Sequence, residues 1–297
     1  MSAIPSAYVP LDGKPFAVSM GLRSLDESVW LERNDQFDED IALKRHLYET
    51  QFEQVFQSNE QGLAGSLETF ELIANHLEID APADVEESES HPLIQASLLV
   101  QEDLCIMSNV NNQWKLTAAS VCFPSRWDLK QKINTDLFQI HHTVPHYEQR
   151  IGAATDAMFY KFTEDRPVWR LNWTILNRPD LYQPASSHNA EQDSEIDQLV
   201  NVQRFAETQN QSDLAEFAAH HYLRIERQTL RCLPSSKDVL FTIRTYVDSL
   251  ANLAIEHPEF QSNLGETLRA VSEQTRSYKG WDRIWAVSYT HLRAHET

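Results

Sequence analysis

The chain predicts an α+β fold in which helices flank one antiparallel sheet. Three observations carry that prediction. Apolar residues recur at three- and four-residue steps in an N-terminal block. Stretches of strand length, rich in β-branched and aromatic residues, then come in two groups. A further amphipathic pattern closes the chain, so the order is helices, two strands, helices, three strands, helix. No internal repeat is visible.

Residues 1–30 mix prolines with apolar residues and read as an irregular arm lying on the body. Over 36–58, the spacing of Phe37, Ile41, Leu47, Tyr48, Phe52, Val55 and Phe56 predicts an amphipathic helix. A second helix fits 66–78 through Leu67, Phe70, Ile73 and Leu77, and the acidic, proline-bearing segment Asp80 to Pro92 reads as a loop. Strands are expected over 96–107 and 114–123, paired across the polar turn Asn109 to Gln113. Ser125 is placed to cap a helix with Asp128 three positions on. Leu129, Ile133, Leu137 and His141 then follow at four-residue steps, with Asn134-Thr135-Asp136 able to split that helix in two. A helix around 151–162 precedes strands over 168–176, 222–233 and 239–247. Between the first two lies an acidic polar insert, Ala185 to Asp197. The closing helix, started by Pro258, is expected to bury Phe260, Leu264, Leu268 and Val271.

Composition narrows the function classes. The chain of 297 residues has 41% hydrophobic and 23% charged content, a globular balance with ample material for a core. Its 44 acidic and 25 basic residues give a net charge of −19, which argues against nucleic acid as a partner. Cys105, Cys122 and Cys232 are far apart, odd in number and set in apolar stretches. They suit buried thiols and offer neither a disulfide framework nor a cluster-binding set. No apolar run approaches the roughly 20 residues of a membrane-spanning helix, and the start Met1-Ser2-Ala3-Ile4-Pro5 has no basic region before an apolar one. A soluble cytoplasmic protein with no membrane partner is expected. Residues 287–297 lack any continuation of the preceding pattern and resemble read-through of a sequencing adapter, a non-native artefact; His291 and His295 are therefore set aside.

Two regions could carry chemistry. Leu137 to Tyr147 holds His141, His142 and His146 within six positions, at the end of an apolar helical pattern and beside Pro145. Imidazoles there could ligate a metal or a heme iron, or be structural. In 222–230, alternation puts Arg224, Glu226 and Gln228 on one face and Ile225, Arg227 and Thr229 on the other, and the next strand adds Arg244 and Tyr246 on one face. These residues form either a solvated face with cross-strand ion pairs or a polar wall over a ligand. Similar alternation in Arg170-Leu171-Asn172-Trp173-Thr174 turns Leu171 and Trp173 inward if Arg170 and Asn172 face solvent. H-E-x-x-H, G-x-S-x-G, Walker and G-x-G-x-x-G motifs are all missing from the sequence.

Seven segments occur in an order that resembles one family. They are Met20-Gly21-Leu22-Arg23, Val100–Cys105, Ser120–Trp127, Ile140-His141 with Val144-Pro145, Trp169–Trp173, Arg224–Leu230 and Leu240–Tyr246. The set is similar to the heme-dependent oxidative N-demethylase α-subunit family, and the likeness runs from about residue 15 to 280.

The resemblance implies a PAS-like antiparallel sheet flanked by helices, with an N-terminal helical extension and a C-terminal helix. The corresponding division is an arm and extension over 1–92, a heme-binding domain over 93–280 and a tail over 281–297. It implies heme b held through one axial histidine and oxidation of a dimethylamine-like secondary amine by dioxygen to a primary amine and formaldehyde. NADPH electrons would arrive through flavin and iron–sulfur cofactors on a reductase subunit, with tetrahydrofolate on a folate-linked subunit. Carried over by position, His141 is the iron ligand, with His142 as the alternative where the family often has a small residue. Arg224, Glu226, Arg227 and Arg244 would serve the chemistry, and Gln228, Thr229 and Tyr246 the cofactor. A heme or gas sensor without turnover and a non-catalytic PAS-like interaction module are the rival readings; a chain this short has no room for a sensor's output domain.

Overall fold

A computed structural model describes residues 4–9, 20–79, 90–142, 144, 152–185, 218–269, 271–279 and 281. Its frame is a seven-stranded antiparallel sheet. The strands are β1 (Arg23–Ser24), β2 (Phe56–Ser58), β3 (Asp103–Val110), β4 (Gln113–Ser120), β6 (Val168–Leu176), β8 (Tyr222–Cys232) and β9 (Val239–Ser249), in the spatial order β1-β6-β8-β9-β3-β4-β2. The five long strands thus run second, first, fifth, fourth, third when read from the β4 side, as a PAS-like sheet does. A separate parallel pair joins β5 (Ser125–Trp127) to β7 (Gln183–Pro184).

The N-terminal extension supplies both edge strands: β1 pairs with β6, and β2 with β4. It also supplies α1 (Phe37–Thr50), α2 (Phe52–Val55) and α3 (Leu63–His76). The helix expected over 36–58 therefore ends early, and Phe56 to Ser58 turn into a strand because β4 offers them a backbone ladder. Close approach explains Gly62, where a Cβ would sit 2.7 Å from Thr117 O and from Ala118 Cβ.

Residues 96–97 belong to a short helix, α4 (Pro92–Ser97), rather than to the expected strand. Pro92 at its first turn and the His91 ring, which accepts from Leu93 N, start that helix, and β3 begins only at Asp103. The β3–β4 turn is tight: Asn111 and Asn112 have φ of 53° and 62°, as a two-residue hairpin turn of this hand requires.

Ser125 lies in β5 and caps nothing; Asp128 caps α5 (Leu129–Lys132) by accepting from Lys130 N. The split at Asn134 is real. With φ at 64°, Asn134 leaves the helix, donates its N–H to Leu116 O, and Thr135 O accepts from Leu116 N. Those bonds moor the break to β4, and α6 (Leu137–His141) restarts from a capping box between Asp136 and Gln139. Next come α7 (Ala153–Phe159) and, after β9, α8 (Leu250–Glu256), α9 (Phe260–Arg269) and α10 (Glu273–Lys279). Of the closing-helix residues, Phe260 is buried, Leu264 packs beside it, Val271 is buried just beyond the helix, and the Leu268 side chain lies outside the described residues.

Period-two alternation gives the sheet two apolar faces. On one, Leu104, Ile106, Ala118 and Leu240 pack under the N-terminal helices, while Trp173, Ile225 and Tyr246 pack under the C-terminal ones. On the other, Cys105, Met107, Leu230 and Val239 meet Leu129, Leu137 and Phe159 from α5, α6 and α7. The three cysteines are all buried free thiols. No helix among the described residues is long and apolar enough to cross a membrane.

Candidate functional site

Helix α6 carries His141 on the last of its five residues, with Leu137 buried against the sheet and Ile140 packed beside it. The His141 ring is half-buried. Its Nδ1 lies 2.8 Å from Leu137 O. A carbonyl oxygen can only accept, so Nδ1 carries the proton and Nε2 carries the lone pair. Burial is the main cause that pushes the His141 pKa down, and the charges of Arg170 and Lys132 add to it; the bond to Leu137 O works the other way. Neutral imidazole with a fixed tautomer is the ligating form. Lys132 Nζ helps hold the segment by donating to Ile140 O at 2.9 Å.

His142 is exposed, and its Nδ1 lies 2.7 Å from Gln139 O. Pro145, His146 and Tyr147 of the same segment lie outside the described residues, as do residues 186–197 of the acidic insert and residues 287–297. Among the described residues no group of three or more His, Cys, Asp or Glu stands together as a metal cage. One imidazole suits a cofactor that brings its own remaining donors.

The sheet beneath α6 is part apolar and part polar. Cross-strand register puts Asn172 opposite Glu226 and Arg170 opposite Gln228, and pairs Gln228 with Ile243 on β9. All five are half-buried, as is Phe241, although they lie on or beside the central strands. Glu226 is the hub: its Oε2 accepts from Asn172 Nδ2 at 3.1 Å and from Gln228 Nε2 at 3.0 Å, and its Oε1 lies 3.6 Å from Arg224 Nε. Arg224 is fully buried and also donates to Phe123 O and to Leu181 O. Burial lowers its pKa, opposed by the charges of Glu226 and Asp103. Arg170 Nε is buried and has no hydrogen-bond partner among the described residues.

At the open edge of β6, Lys279 of α10 donates to Trp173 O at 2.6 Å. Burial pulls its pKa down to about 8, against the raising influence of Glu226. Trp281 next to it stacks on Trp173, with ring centres 5.1 Å apart.

The same alternation sends Arg227, Thr229, Arg244 and Tyr246 to the opposite face, so the structure does not bring them to His141. Arg227 donates to Trp30 O at 2.9 Å and to Val29 O at 2.6 Å, and its Nε lies 3.5 Å from Glu32. Arg244 Nη1 lies 3.5 Å from Asp40, whose Oδ2 accepts from Gln101 Nε2. Tyr246 donates to Glu32 at 2.5 Å, and Thr229 shares a hydrogen bond with Thr242. Arg227, Arg244 and Tyr246 fasten the N-terminal extension to the sheet, and Thr229 ties β8 to β9. The residues that sequence reasoning missed are Arg170, Asn172 and Lys279. Alternation places Arg170 and Asn172 on one face without saying whether it meets solvent, and only their pairing with residues 54 to 58 positions away reveals the shared face.

A model of the family described as "Haem-dependent oxidative N-demethylase, alpha subunit-like" matches residues 78–288.

Proposed function

This chain belongs to the haem-dependent oxidative N-demethylase, alpha-subunit-like family, and we propose that it binds heme b and oxidatively N-demethylates a small secondary amine. The observation that carries this reading is His141: a half-buried, neutral imidazole whose Nδ1–H is tied to Leu137 O and whose Nε2 holds the lone pair, on a helix packed over an apolar sheet face. The residues present fit heme. Phe241, Leu230 and Met107 supply an apolar floor, and Arg170 Nε, a buried donor with no hydrogen-bond partner among the described residues, could donate to a heme propionate.

His141 would hold the iron, Arg170 a propionate, and His142 would stay in solvent. Heme, when bound, supplies the site for dioxygen and the oxidising power for the N-methyl carbon. The remaining work falls to the chain. Asn172, Glu226 and Gln228 make a polar wall that holds the amine, and Arg224 fixes Glu226 by packing its guanidinium among the Phe123 and Leu181 carbonyls. Arg227, Arg244, Thr229 and Tyr246 stiffen the strands from behind. For dimethylamine the balance is one amine, one dioxygen, two electrons and two protons giving methylamine, formaldehyde and water. The hydroxylated methyl carbon releases formaldehyde as its C–N bond breaks.

Electrons would come from NADPH through flavin and iron–sulfur centres on a partner subunit, in keeping with the α-subunit description, with tetrahydrofolate on a further subunit taking up formaldehyde. The test is to supply the heme-loaded chain with a chemical reductant, dioxygen and dimethylamine, then assay formaldehyde and methylamine. Equal yields of both are expected. Reduced heme that consumes dioxygen without releasing either from any secondary amine would overturn the reading.

A further inference from the structure

Glu226 does not face the site as a bare carboxylate. One of its oxygens accepts from both the Asn172 and the Gln228 side-chain amides, at 3.1 and 3.0 Å. A carboxylate oxygen can only accept, so each amide must turn its nitrogen toward Glu226 and its carbonyl oxygen away. The two amides are neighbours: Asn172 is the cross-strand partner of Glu226, and Gln228 lies two positions along β8 on the same face. The carboxylate also sits among cations, with Arg224 Nε at 3.6 Å and the charges of Arg170 and Lys279 close enough to act on it. That crowding makes Glu226 a poor lone counter-ion for a substrate ammonium. Two fixed carbonyl dipoles are what the wall offers instead.

We propose that Asn172 Oδ1 and Gln228 Oε1, oriented by Glu226, form a two-acceptor claw that reads the number of N–H groups on an alkylammonium ion. A secondary ammonium carries two N–H donors and satisfies both acceptors. A tertiary ion satisfies one and a quaternary ion none, which leaves half-buried carbonyls unpaired against methyl groups. The proposal rests on the amine-oxidation reading and adds to it the feature that sets the degree of substitution. Glu226 is a positioning residue in this scheme, and Asn172 and Gln228 are the specificity determinants.

The test is calorimetric binding of dimethylammonium, trimethylammonium and tetramethylammonium chlorides to the full chain as purified, with heme content read separately from its absorption. Native protein is expected to prefer the secondary over the tertiary ion by about tenfold or more, the scale of one hydrogen bond to a charged group. Asn172→Leu and Gln228→Met should each erode that ratio. In Glu226→Gln the new amide oxygen can still accept from both neighbours, so the ratio should persist while all affinities move together. Native binding that ranks the three ions alike, or ratios unchanged in folded Asn172→Leu and Gln228→Met, would overturn the claw. A chain that selects secondary ions yet takes up no heme would overturn the functional reading and leave the claw standing. A chain that binds heme but none of the ions would sink the claw alone.

Discussion

The Nδ1 of His141 donates to the carbonyl of Leu137, one helical turn earlier, at 2.8 Å. The bond lies inside a helix of only five residues, which begins at the reciprocal cap between Asp136 and Gln139. An isolated helix this short would not persist. Its orientation therefore depends on the cap, on the strand contacts of Asn134 and Thr135, and on Leu137 in the core.

Removing the cap should loosen the imidazole without deleting it. Asp136→Ala is expected to cost about 1 kcal/mol of stability, the usual worth of an N-cap. It should also speed heme loss several-fold, measured by transfer to an excess of apo-globin. Unchanged heme loss in the destabilised variant would show that α6 is held by other means.

Arg170 and Arg227 face opposite sides of the sheet, so their substitutions should separate. Arg227→Met removes a buried guanidinium, breaking its ion pair with half-buried Glu32 and two carbonyl contacts. It should cost about 3–5 kcal/mol in denaturant unfolding and leave the heme absorption of the folded fraction alone. Arg170→Met should cost little stability and weaken heme retention. Reversed effects would place the propionate contact on the other face.

Asp103 gives a pH signature. Its two oxygens accept from Cys122 N at 2.8 Å and Phe123 N at 2.9 Å, and burial lifts its pKa to about 6 against the pull of Lys44. The folded state thus holds the proton more tightly than the unfolded chain. The stabilisation is complete below the ordinary value of 3.8 and is lost as pH rises through about 6. Asp103→Asn gives up one of the two acceptors, so it should destabilise most near pH 4, by about 1–3 kcal/mol, with the gap to native narrowing toward pH 7. Chemical unfolding across that range checks the sign; a widening gap contradicts it.

Strands β6, β8 and β9 were legible because alternation over nine to eleven residues leaves little ambiguity, and the break at Asn134 announced itself through consecutive residues that resist a helix. Strand β2 was not legible: Phe56 to Ser58 continue a helical spacing, and only the edge of β4 recruits them. Alternation correctly separated Arg224, Glu226 and Gln228 from Arg227 and Thr229, but no local pattern says which face α6 covers. That face is decided by packing between residues such as Leu137 and Leu230, 93 positions apart. His141 stood out through the pattern around it. Arg170 and Asn172 carry no such mark, because their role comes from register.

The most direct test of the account is heme uptake by the purified chain followed through its Soret absorption, compared among native, His141→Ala and His142→Ala proteins. One heme per chain is expected for native and His142→Ala, with uptake lost or made weak and spectrally altered in His141→Ala. A native chain that takes up no heme, or a His141→Ala protein with the native spectrum and stoichiometry, would contradict it.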